Sequence, residues 1–161
     1  MAKMTVGPGL TKYLEQLGNL EDRSDGLAGR AIYQGAKAVA DQVRANIQAL
    51  PVQDGPVGKG QRRNPTQAEK DGMLEGLGVA RKKVDGGFIN VKIGMDGYNT
   101  HVTTKYPKGH PNAMIARTIN AGSTWMNRIP FINNAVKSSK AAAEEAMKAV
   151  IEEGINETMQ S

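Results

Sequence analysis

Apolar positions in the first third of the chain recur at helical spacing. Leu27, Ala31, Gly35, Val39, Val43 and Ile47 are apolar or small residues four apart, which is one slowly drifting stripe on a helix. Ser24 or Asp25 can cap this helix and Pro51 ends it, so it is predicted from about 25 to Leu50. Residues 1–24 are Gly-rich and polar, with a weak helical patch at Leu10, Leu14 and Leu17. They read as an N-terminal arm or short helix ahead of a single domain over 25–161. Residues 51–65 are interrupted throughout by Gly, Pro and charged side chains. No core face can be drawn on them, and they read as an exposed basic loop that orders on assembly. A short helix from Thr66 to about Leu77 follows.

The period then switches to two. Ile89, Val91, Ile93 and Met95 fall on one face of a strand, with Asn90 and Lys92 on the other. Val79 to Val84 is its partner, alternation placing Arg81 and Lys83 together, and Asp85-Gly86-Gly87 is a hairpin signal between them. A third strand is predicted near His101 to Lys105. Pro111 can open a short helix that Gly122, in the left-handed conformation, closes. Pro130 opens the last element. Phe131, Ile132, Ala135, Val136, Ala143, Met147, Val150, Ile151 and Ile155 trace its apolar stripe. A helix of about 28 residues is ~42 Å long, which overhangs a domain of this size and predicts that its outer half packs on a neighbouring subunit. The fold expected is α+β: a small antiparallel sheet packed against a long N-terminal helix and a long C-terminal helix.

Composition sharpens the assembly expectation. Only 4% of the 161 residues are aromatic, so the core is built from Ala, Val, Ile, Leu and eight Met. Such side chains bury little area each, and association of copies would supply further burial. The net charge is +5, unevenly spread. Residues 51–111 carry ten Lys/Arg against six Asp/Glu, and residues 131–161 carry three Lys against five Glu, a distribution suited to head-to-tail docking. With no Cys there is no disulfide framework or thiolate metal site. The start of the chain lacks a basic, apolar and small-residue leader pattern, and no apolar run approaches membrane-spanning length. The expectation is synthesis in the cytoplasm with no membrane partner.

Catalytic chemistry has little to stand on. His101 and His110 lie in a loop-rich stretch where Asp96 is the nearest carboxylate, at a spacing that favours no metal. Gly55 to Gly60 lacks the glycine spacing and the Ser/Thr of a phosphate-binding loop. Glu144-Glu145 and Glu152-Glu153 read as a solvated helix face. No catalytic residue, cofactor or metal is assigned, and the expectation is a protein that is not an enzyme. The basic residues Lys59, Arg62 and Arg63 on the loop, with Arg81 and Lys83 on the strand, could neutralise phosphates without reading sequence. They lack the interleaved aromatics of single-strand binders, and a solvated rim or subunit interface is the stronger reading.

The order of parts resembles a known family. Gly35-Ala36-Lys37-Ala38-Val39-Ala40 through Asn46-Ile47 is similar to the first long helix of the tailed-phage tail-component family. That family includes neck and tail-completion proteins and relatives of the lambda tail-completion protein Z. Asp71-Gly72-Met73-Leu74 resembles its short Gly-x-Leu segment. Ala116 to Ser123 resembles the short helix that closes on Gly-Ser/Thr, and Pro130-Phe131-Ile132 resembles the Pro-Phe that opens its C-terminal helix. The family's acidic–aromatic pair before Gly-Thr is Asn120-Ala121 here. The resemblance spans roughly residues 26–155. It implies a structural virion protein of the neck: copies of the chain in a ring that joins the capsid connector to the tail tube or terminator, with room for non-specific contact with genomic DNA in the lumen. Gly122, Pro130 and Phe131 are then the helix junction and core anchor. The alternatives are a tail-terminator or head-closure ring and, from another class, a non-specific nucleic-acid-binding protein.

Overall fold

A computed structural model describes residues 8–160. The chain is α+β. Helix α1 (Pro8–Gln48) leads through a loop to α2 (Gln67–Gly76). A hairpin ladder follows, β1 (Leu77–Val79), β2 (Lys83–Asp85), β3 (Phe88–Asn90) and β4 (Ile93–Met95). A second loop then leads to α3 (Asn112–Ala121) and α4 (Phe131–Gln160).

α1 is one helix of 41 residues, ~60 Å long. The break expected at Ser24–Asp25 does not occur: both residues are exposed in mid-helix, and the stretch before them continues the helix instead of forming a separate arm. Residues 1–7 of that expected arm lie outside the described residues. The reason for the continuity is tertiary. α4 runs antiparallel along α1, with Met147 over Gly35, Leu27 over Gly154, and Gln16 Nε2 donating to the Met159 carbonyl. The outer half of α4 therefore packs on the chain's own α1, which corrects the expectation that a neighbouring subunit covers it.

The stripe predicted on α1 is the buried one: Leu27, Ala31, Val43 and Ile47 all face inward. On α4 the buried line is Phe131, Ala135, Ser139, Ala143, Gly154 and Thr158, whereas Val136, Ile151 and Ile155 are exposed. Small residues win this face because they let the two helix axes approach. A methyl at residue 35 would meet Met147 Cγ at 2.8 Å, and one at residue 154 would collide with Leu27.

The hairpin is longer and less regular than predicted. Leu77 pairs with Met95 and Val79 with Ile93, but Lys83 pairs with Asn90 and Asp85 with Phe88. The register thus shifts by one residue between the two ladders. The extra residue lies in 80–82, a bulge that takes Arg81 out of the pairing. Gly86 and Gly87 turn at φ +57° and +80°, the two positive angles of a tight hairpin turn. The predicted third strand near His101 is a loop, held by a backbone turn between Thr103 and Tyr106 and by the Asn99 side chain.

The core gathers Val43 and Ile47 of α1 and Leu50 just after it with Met73, Leu77, Met95, Ile115, Ile119, Met126 and Phe131. It lies where the inner halves of the long helices meet α2, α3 and the paired strands β1 and β4.

Candidate interaction surfaces

The basic loop divides into two halves. Lys59 and Arg62 are exposed, as expected of contact residues. Arg63 is not: its guanidinium forms a bidentate pair with Glu69, both bonds 2.7 Å, and lies 5.0 Å from the Trp125 ring. Its N–H donates to the Trp125 carbonyl and its carbonyl accepts from Asn127, a short parallel bridge that pins the loop to the 123–130 segment. Arg63 is thus a structural residue, which corrects its place among surface cations. Pro65 is fully buried, Gln53 N donates to its carbonyl, and Asp54 Oδ1 accepts from Gln67 N, so 53–54 and 63–65 belong to the fold and the exposed part of the loop is 55–62.

Glu69 is the partner that the sequence reading missed. It is 2% exposed and closes a capping box, accepting from Thr66 N while Thr66 Oγ1 accepts from Glu69 N. Burial pushes its carboxyl upward, but the Arg63 guanidinium and the Thr66 bonds outweigh this and hold it below the usual carboxylate value. The Thr66-x-x-Glu69 spacing is a capping-box signal legible in sequence; the reach of Arg63 to it is not.

Arg81 and Lys83 are exposed on the hairpin, as expected, though separated by the bulge. Between them the Lys82 stem lies over Gly29 of α1. Arg30, Tyr33, Arg81, Lys82 and Glu153 share an open cleft there. Beyond it the hairpin tip carries Phe88, 78% exposed, and exposed Val84.

His101 and His110 lie together, ring centres 5.3 Å apart, with the Tyr106 ring 4.6 Å from His110. Burial and then the charge of His101 push the His110 imidazole below its ordinary value; Glu69 pulls the other way and Arg63 adds a smaller push down. Among the described residues no three His, Cys, Asp or Glu are grouped to hold a metal ion, and no helix is long and apolar enough to cross a membrane.

The junction into α4 is built from α3. Gly122 ends α3 with its N–H on the Thr118 carbonyl, at φ +78° and ψ 165°. The positive φ is as expected, but ψ is extended and not left-handed helical, so the chain leaves α3 abruptly toward Arg128. Pro130 is half-buried and Phe131 is 2% exposed. Asn120 caps α4 from a distance: its Oδ1 accepts from Ile132 N at 3.0 Å and Asn133 N at 3.3 Å. That role had no signal in the sequence, because the cap is supplied by another helix.

Two larger surfaces complete the picture. The outer parts of α1 and α4 run side by side, Met147 over Gly35 and Leu27 over Gly154, and end in an acidic two-helix arm, taken as residues 8–25 and 144–160. It carries two basic side chains against four acidic ones on α1 and one Lys against five Glu on α4, net −6. Residues 26–143, the head, carry seventeen Lys/Arg against seven Asp/Glu, net +10. On the head, an apolar groove of about 410 Å³ opens between α3, β4 and α4. Val43, Met95, Ala113, Ile132 and Val136 line it, and Arg117 stands in it.

No family model, curated protein or solved structure matches the chain.

Proposed function

We propose that this chain is a structural subunit of the neck of a tailed-phage particle. In this reading copies form a ring that joins the capsid connector to the tail tube, and its work is adhesive: interface burial, not bond chemistry. One observation supports it most. The elements that resemble the tail-component family occur as folded parts in the family's order: long helix, polar loop, short helix, hairpin, short helix closing at Gly122-Ser123, then Pro130-Phe131 into a long helix whose Phe anchors the core. A tail-terminator or head-closure ring is the same kind of subunit at another level of the particle. The test is immunogold labelling of particles with antibody to this chain, beside particles assembled without it. Label at the head–tail joint, and full heads with separate tails when the chain is missing, are the expected results. Label on the capsid shell or none on the particle overturns the reading.

A second reading is favoured by the net +10 of the head, with Lys59, Arg62, Arg81 and Lys83 exposed. A polyanion such as duplex DNA would find a non-specific surface there, and its affinity would fall steeply with salt.

A further inference from the structure

We propose that the acidic arm of one copy docks on the basic head of the next, with Tyr13, Leu14 and Leu17 entering the apolar groove between α3, β4 and α4. The inference rests on the assembly reading above and names the two surfaces by which copies meet.

Both surfaces are apolar and exposed among the described residues. Tyr13, Leu14 and Leu17 are all exposed, Leu14 at 54%. Gln16 reaches the last turns of α4 at Met159, so α1 runs on for about two turns past that level and carries Tyr13 and Leu14 with it. On the head, Val136 at the groove is 52% exposed. One copy cannot fill its own groove, because Leu14 and Val39, a groove residue, are 25 positions apart on one helix, ~38 Å along its axis.

Charge chooses among the ways two copies could meet. Arm against arm brings −6 to −6, and head against head brings +10 to +10; arm against head joins opposite signs. Arg117 stands in the groove, and exposed Lys92 and Lys137 adjoin its lining residues Ile93 and Val136 in sequence, against one exposed carboxylate, Asp96 beside Met95, so cations prevail at the receptor where acids prevail on the arm. The contact is heterologous: each copy that docks its arm leaves its head free for the next, and a rotation that closes gives a ring.

The chain has no Cys, which makes the contact directly readable. Full-length Leu14→Cys and Ala113→Cys proteins, with tags of different mass, are mixed at low salt and mildly oxidised. Both positions are exposed, and the melting temperature of each variant is checked against the parent. The expected result is a mixed disulfide in excess over the Leu14→Cys self-dimer. It should also exceed the product with Gly55→Cys, a loop position that does not line the groove. The mixed product should fall several-fold at 1 M salt, where the screening length shrinks to ~3 Å. It should fall likewise with Glu15→Lys, Glu21→Lys and Glu157→Lys together, which bring the arm from −6 to zero. Equal cross-linking to residue 55, a dominant Leu14→Cys self-dimer, or a yield indifferent to salt and arm charge overturns the proposal. The two readings fail separately. A mixed disulfide from a protein that does not label the head–tail joint leaves the docking standing and removes the neck function. Joint labelling of particles built from the Leu14→Cys/Ala113→Cys double variant, with no inter-subunit disulfide, does the reverse.

Discussion

Phe131 bears a disproportionate share of the core, because every other buried side chain of the main cluster is aliphatic or Met. Truncating it leaves a ring-sized void bounded by helices that cannot collapse on it, and Phe131→Ala should cost ~3–5 kcal/mol in thermal unfolding. Gln67→Ala, which removes an exposed side chain paired only with Asp71, is the control and should change stability by less than about 0.5 kcal/mol. An unchanged melting temperature for Phe131→Ala would make residue 131 a surface position. Glu69 poses a different test. Its folded value lies below the unfolded one, so its contribution is fully present above the unfolded carboxylate value and is lost as pH falls through the folded one. Glu69→Gln leaves the Arg63 guanidinium half-buried without its charge partner, and should cost roughly 3 kcal/mol at neutral pH. The gap to the parent should narrow as pH falls below the ordinary carboxylate range and through the lowered folded value, where the parent's carboxylate takes up its proton. Chemical denaturation of both proteins across that range reads the gap, and a gap independent of pH would mean that the pair does not hold the loop.

At the scale of elements, α1 and α4 depend on which glycines touch something. Gly26 meets nothing within 4 Å and is exposed, so Gly26→Ala gains helix propensity alone and should stabilise by about 0.5–1 kcal/mol. Gly154 is buried against Leu27, so Gly154→Leu must push the helices apart and should destabilise by ~1–3 kcal/mol despite the same gain in propensity. Urea midpoints of the two variants should move in opposite directions; movement in the same direction would refute the close approach of the helices there. α1 from residue 25 on, the three later helices, the hairpin turn and the Pro130-Phe131 junction were legible because each rests on a local period or a local stop signal; the first turns of α1 were not. The face of α4 was not. Periodicity ranks Ile151 and Ile155 above Gly154 and Thr158, whereas the fold selects the small residues that α1 can approach. The bulge at 80–82 was equally silent, since one inserted residue leaves no mark on composition.

At the scale of the molecule, the charge separation was visible only in part. The acidic character of α4's end shows in sequence, but Glu15, Glu21, Asp22 and Asp25 join it only because α1 folds back along α4. The same folding divides the cations of the loop into two kinds, and the division can be measured. Lys59 and Arg62 are exposed and touch nothing that the core needs, whereas Arg63 is tied to Glu69, Trp125 and Asn127. Reversing the first two therefore changes what the head presents to another surface and not what holds the head together. Lys59→Glu with Arg62→Glu should keep the parent's melting temperature within a degree or two, since surface changes of this kind stay within about 0.5 kcal/mol. Arg63→Glu places a second carboxylate against buried Glu69 and should lower the melting temperature by roughly 10 °C or more, the consequence of several kcal/mol in a domain of this size. If the chain is the neck subunit proposed above and this loop meets another component of the particle, the double reversal should also reduce the fraction of joined heads and tails counted by electron microscopy, in folded protein. Joining at the parental level with the double reversal would place the loop away from every essential contact. A lowered melting temperature for it would show that Lys59 or Arg62 belongs with Arg63 to the structure of the head.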